Sequence, residues 1–124
     1  MYVVSEREQR TTKTPAGTMF GLAAPSQGSA ELSTWRVELG ADAATPVHVI
    51  DREQVWMPLS GAFEVEVDGE TRQAGAGQAV ILPAGAVRRL KAVGGPAEAL
   101  VAMAVGGKAM MPGGEDKIPL PWAE

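Results

Sequence analysis

Few side chains in this sequence could do chemistry at a defined site, and the first of them stands without the usual company. His48 is the one histidine, and cysteine is absent. Without thiols, disulfides, thiolate-held metals and a cysteine nucleophile are all excluded. A metal centre built on two or three histidines cannot come from a single chain either. A lone imidazole still has a use, because it titrates near neutrality and can act as a general base. The bland alternative is a hydrogen-bonded packing residue, and nothing else in the sequence chooses between the two. Asp51, Arg52 and Glu53 follow closely, and a charge run of this kind reads as a solvated turn.

The elements that must position such residues are strands. Leu32 to Leu39 places Trp35, Val37 and Leu39 on one face and Arg36 and Glu38 on the other. Ala62 to Asp68 does the same with Phe63, Val65 and Val67 against Glu64, Glu66 and Asp68. A period of two marks strands with one wet and one buried face. Asp68-Gly69 then predicts a two-residue hairpin turn, with Thr71-Arg72-Gln73 as the returning strand. Gly77 to Leu82, Val87 to Val93 and Ala97 to Val105 supply three further strands, while Thr18 to Ala23 and Tyr2 to Val4 are candidates for the sheet edges. The 15 glycines and 9 prolines break every helical pattern. The fold class expected is all-β, in one domain spanning residues 1–124, with an N-terminal arm over 1–15 and an irregular C-terminal strap over 106–124.

The formal charge of −4 repels a phosphate backbone. The basic residues are scattered, and the doublet Arg88-Arg89 is too small for a nucleic-acid patch. Ala99 to Val105, the longest apolar run, is far too short to span a bilayer. With no leader-like start in the first residues, the expectation is a cytoplasmic protein that binds neither nucleic acid nor membrane.

From Pro46 onward the sequence resembles the cupin family. Its first motif carries His-x-His, a Glu four residues after the second His, and a Gly beyond the next strand. Counting back from Gly61, Gln54 stands in place of the Glu, Ile50 in place of the second His, and His48 in place of the first. The second motif is matched by Gly77-Gln78-Ala79-Val80-Ile81-Leu82-Pro83-Ala84-Gly85-Ala86-Val87-Arg88, with Arg88 where the family has its last His. The resemblance implies a cupin-type jelly-roll, also described as a double-stranded β-helix barrel, with these positions pointing inward. Of the four metal-ligand positions only His48 remains, so no metal and no cofactor are expected.

Placed inward by that resemblance, Arg88 would bind a carboxylate or phenolate with its bidentate fork, or pair with an internal acid such as Asp51 or Glu53. Gln54 would orient a ligand, donating and accepting at once, or serve as a structural amide. Trp56, two residues on, shares its face and would form an apolar wall for a flat ligand, or simply core. The function expected is a small-molecule-binding cupin with a metal-degenerate pocket for an anionic or aromatic organic molecule. It would be either a binding module or a metal-independent enzyme of the isomerase, cyclase or lyase type, with His48 as base. A metal-dependent oxygenase with an atypical site and a non-catalytic structural cupin are the alternatives. A homodimer is expected in each case, with the N-terminal arm able to pair with a partner's sheet edge.

Overall fold

The structure, a computed structural model, describes residues 1–124. It contains ten strands, β1 (Thr11–Lys13), β2 (Gly17–Gly21), β3 (Leu32–Leu39), β4 (His48–Ile50), β5 (Gln54–Val67), β6 (Glu70–Gly75), β7 (Val80–Leu82), β8 (Val87–Ala104), β9 (Lys108–Met110) and β10 (Ile118–Pro119). Three short 3-10 turns complete it, and there is no α-helix. All pairings are antiparallel. This is the all-β chain that the alternation and the turn residues predict, arranged as the jelly-roll that the cupin resemblance implies.

The two long strands organise the fold. The first half of β5 (54–58) pairs with the last part of β8 (99–103), and the second half (62–67) pairs with its first part (88–93). In the first leaf, β1, β2 and β3 continue from the end of β8 on one side, and β7 joins the start of β5 on the other. In the second leaf, β6 flanks β5, while β4, β9 and β10 follow from the start of β8. The inner faces of both leaves meet in one apolar cluster of 17 buried residues, including Trp35, Val37, Ile50, Trp56, Phe63 and Leu90.

Both long strands turn the corner by slipping their alternation one step. In β8 the buried positions are Arg88, Leu90 and Ala92, then Ala97, Ala99, Val101 and Met103, with Gly94-Gly95-Pro96 between. In β5 they are Gln54, Trp56 and Pro58, then Phe63 and Val65, with irregular pairing around Ser60. Gly61 makes the crossing possible, with φ at +70° and the Pro96 carbonyl oxygen 2.3 Å from where a Cβ would sit. At the other end of β5, Asp68 and Gly69 take φ of 47° and 85°, the two positive values of a type I′ hairpin, and Val67 faces Glu70 across it.

Several boundaries differ from expectation. Val87 to Val93 and Ala97 to Val105 are one strand, because β5 accompanies β8 around the bend. Only Val80–Leu82 of the expected Gly77–Leu82 strand is paired, since β7 meets just Gln54, Val55 and Trp56. Tyr2 to Val4 is not a strand; the arm is held instead by Glu6 on Arg36 at 2.8 Å and by Arg7 donating to Gln27 at 3.0 Å. The tail is less irregular than its composition suggests, with β9 and β10 paired to each other. Leu120 and Ala123 are buried, the Ala123 carbonyl accepts from the Ser33 hydroxyl at 2.6 Å, and Trp122 lies 6.4 Å from Trp35.

Gly61→Ala should cost on the order of 2–3 kcal/mol, combining a strained backbone with a carbonyl clash. Gly69→Ala, at a similar φ but with nothing within 4 Å, should cost only about 1 kcal/mol. Urea unfolding of the two variants with unchanged slope would read this difference; equal losses would refute the role given to Gly61.

Candidate functional site

Three side chains meet inside the barrel. Arg88, on β8, points inward and is only 2 % exposed. Its Nη2 donates to Gln54 Oε1 at 2.6 Å. The same oxygen accepts from Trp56 Nε1 at 3.0 Å, and Gln54 Nε2 points at Met103 Sδ at 3.4 Å. Two donors on one oxygen fix which way the amide faces, because only the carbonyl end can accept. Trp56 and Phe63 pack edge to face, 5.7 Å between ring centroids.

The arrangement leaves a charge without a counter-charge. Arg88 Nε and Nη1 have no hydrogen-bond partner in the protein, and no carboxylate pairs with the guanidinium. The internal ion pair weighed from the sequence is not formed. Asp51 instead accepts from the Lys108 backbone N–H at 2.7 Å and pairs with Lys117 at 3.1 Å, and Glu53 is exposed. Burial pulls the Arg88 pKa down to about 10, so the group still carries its charge at neutral pH.

His48 lies directly across from Arg88 in the β4–β8 ladder, which puts both side chains on the inner face. It is half-buried. Its Nδ1 sits 2.6 Å from the Pro46 carbonyl oxygen. A carbonyl can only accept, so Nδ1 carries the proton and Nε2 keeps its lone pair. Burial lowers the His48 pKa and Arg88's charge lowers it further, against the opposing pull of Pro46. At neutral pH the ring is therefore a neutral base.

All four residues singled out in the sequence thus face the interior, with Arg88, Gln54 and Trp56 hydrogen-bonded together and His48 beside them. Met103 was missed. Its signal was its place in the Ala97 to Val105 alternation, but nothing local says that its sulfur meets an amide. Gly107 makes room for it, since a Cβ there would lie 2.3 Å from the Met103 sulfur. A surface cleft of about 460 Å³ opens between β6 and β7 and is lined by Val65, Val67, Val80, Gln73 and Gln78 among others. Val67 stands opposite Arg88 and Val80 opposite Trp56 in the ladders, but His48, Gln54, Trp56 and Arg88 do not line this cleft.

The donor set does not fit a transition-metal ion. No three His, Cys, Asp or Glu side chains are grouped to hold one, Ile50 fills an inward position, and the one oxygen of Gln54 is engaged by two N–H groups. A divalent ion about 4 Å from the guanidinium would be repelled by roughly 8 kcal/mol at an effective dielectric of about 20.

Comparison with known proteins places this architecture. A family model described as a cupin domain matches residues 33–103, more than half of the chain. Among solved structures, the polyketide cyclase RemF from Streptomyces resistomycificus is similar at 20 % identity and a TM-score of 0.70, covering 84 % of this chain and 75 % of that one. A cupin 2 domain-containing protein from Halorhodospira halophila gives 20 % identity and 0.73, with 89 % and 81 % covered. KdgF from Halomonas sp. gives 19 % identity and 0.68, with 80 % and 90 % covered. At these identities the likeness is one of fold. No curated protein matches the sequence.

The His48 ring should titrate below its ordinary 6.5, read from its proton resonances, and Arg88→Met should move the midpoint upward by removing the neighbouring charge. Because the folded pKa lies below the unfolded one, His48 contributes stability that is fully present above pH 6.5 and lost as pH falls through the folded value. An unshifted midpoint in wild type, or no response to Arg88→Met, would contradict this placement.

Proposed function

This chain belongs to the cupin domain family, and on that premise we propose that its barrel is a metal-independent binding site for a small organic anion. The observation that carries the reading is the Arg88 guanidinium, almost fully buried, with Nε and Nη1 free of protein partners. An isolated buried charge is expensive, and a carboxylate or phenolate supplies both the counter-charge and the acceptors. Gln54 holds the guanidinium from one side and leaves Nε and Nη1 without acceptors; both are shut off from solvent, so a ligand reaches them only when the barrel opens. Trp56 offers a rigid flat surface beside it, which favours an aromatic or otherwise planar acid.

A catalytic form of this reading has its own support. A neutral His48 with a free Nε2, next to a fixed cation, is the pairing a metal-independent isomerase, cyclase or lyase uses: the base takes a proton and the cation stabilises the anion left behind. A metal-dependent oxygenase is disfavoured by the donor set, and a barrel with a purely structural role would have no use for an unpaired cation in its core.

Titration with matched acid and amide forms of a small aromatic ligand, benzoate and benzamide, tests the reading. Wild type should prefer the acid, and Arg88→Met should weaken acid binding by about 1.5–3 kcal/mol while leaving the amide nearly unchanged. Equal losses for both, or no binding of any acid in a wider panel of planar carboxylates, would sink the proposal. Elemental analysis of protein purified without a metal-affinity tag should find no stoichiometric transition metal; finding one bound through His48 would sink it as well.

A further inference from the structure

The polar cluster does not reach the cleft between β6 and β7, yet two residues of the cleft wall are its immediate neighbours. Val67 and Val80 line the cleft. Val67 is the ladder partner of Arg88, and Val80 that of Trp56. Directly paired residues share one face of a sheet and lie within side-chain reach of each other, so both valines point inward with Arg88 and Trp56. Both are partly buried and pack on the apolar core. Each shows one side to the cleft and the other to the cluster. Here the wall between the open space and a guanidinium that lacks acceptors is one side chain thick.

The same seam is where the barrel opens most readily. β6 and β7 each pair with β5 alone, so no ladder joins their facing edges and none breaks when they part. On the opposite side the tail ties the leaves together. There β10 pairs with β9 in the second leaf, while Ser33 of the first leaf donates to the Ala123 carbonyl and Trp35 meets Trp122. We propose that the β6–β7 cleft is the outer chamber of the anion site, closed from Arg88 by Val67 and Val80, and that the ligand is an elongated planar acid lying across both. This inference rests on the anion reading and adds to it the ligand's shape and its route.

The chemistry of the cleft describes the rest of that ligand. Its carboxylate passes the two valines to meet Arg88 Nε and Nη1, and its body stays behind them. The body is apolar, because Val65, Val67, Ala79, Val80 and Pro83 form much of the wall. The far end carries an oxygen acceptor. Gln78 Oε1 is taken by the Gly75 N–H at 2.9 Å, which leaves the amide NH2 free to donate. Glu70 and Arg72 at the rim answer each other at 2.7 Å, so the cleft calls for no second charge. β6 lies two strand spacings, roughly 10 Å, from β8. A benzene ring with a carboxylate at one end and an acetyl group at the other spans about that length.

Two kinds of measurement on the full chain test this, one of them without ligand. Val67→Ala and Val80→Ala should each speed hydrogen exchange of the buried Trp56 indole N–H by about tenfold, while backbone amides of β3, which report global stability, stay unchanged. The same variants should bind benzoate about fivefold faster, and Val80→Trp, which fills the passage, about fivefold more slowly. Para-acetylbenzoate should bind wild type about fivefold more tightly than benzoate. Gln78→Glu, which keeps the acceptor for Gly75 and removes the donor, should erase that advantage. Indole exchange that merely tracks the β3 amides, binding rates indifferent to all three valine variants, or an acetyl advantage untouched by Gln78→Glu would overturn the proposal. So would rates that respond only to deletion of residues 120–124, because the tail would then be the way in. A wild type that binds no acid fails the anion reading instead, and indole exchange still governed by the two valines would then uphold the passage by itself.

Discussion

A guanidinium buried without a carboxylate imposes its needs on everything around it. Desolvating a cation costs several kcal/mol unless hydrogen bonds and opposite charge return the loss. Within the protein, Arg88 recovers one strong hydrogen bond, to Gln54 Oε1, and no ionic partner. Gln54 must therefore be held with its oxygen toward Arg88, which the Trp56 N–H on the same oxygen ensures. The amide nitrogen is left with only the soft Met103 sulfur, and Gly107 vacates the volume that the sulfur needs. His48, across the ladder, stays neutral because burial and the adjacent cation both oppose its protonation. The chemistry of the barrel follows from this one uncompensated charge.

The scaffold that brings these groups together depends on two strands bending in step. Residues 54–58 of β5 lie in one leaf and residues 62–67 in the other, and β8 makes the opposite passage beside it. A strand that kept its two-residue period through the bend would turn its apolar row outward in the second leaf. Both strands slip one position instead, β5 around Gly61 and β8 across Gly94-Gly95-Pro96. The close approach of the Pro96 carbonyl to Gly61 shows that the two slips occur at the same corner. Gln54 and Trp56 can consequently face Arg88 across the barrel from the opposite leaf.

The strands were legible because their signals are local. The alternation in Leu32 to Leu39 and Ala62 to Asp68, and the Asp68-Gly69 turn, need only neighbouring residues to be read. Misjudged boundaries arose where pairing rather than pattern decides. Gly94-Gly95-Pro96 reads as a break, yet β8 runs through it because β5 pairs on both sides. Tyr2 to Val4 reads as a strand, yet no neighbour offers it a ladder.

Residue types alone settled the exclusions and the inventory, one imidazole and no thiol; the resemblance to the cupin motifs added an arginine where a ligand histidine would stand. Spacing put Gln54 and Trp56 on one face, since strand geometry fixes the direction of every second side chain. Whether Arg88 finds an acid, an amide or nothing was not legible, because its partner lies 34 residues away on another strand. Asp51 is no farther along the chain than Gln54 in any useful sense, but it is engaged by Lys117 and the Lys108 backbone instead. Sequence separation carries no information about which of two candidate partners the fold brings within 3 Å. Only the closing of the two leaves over a shared core decided that, and with it left the cation unpaired.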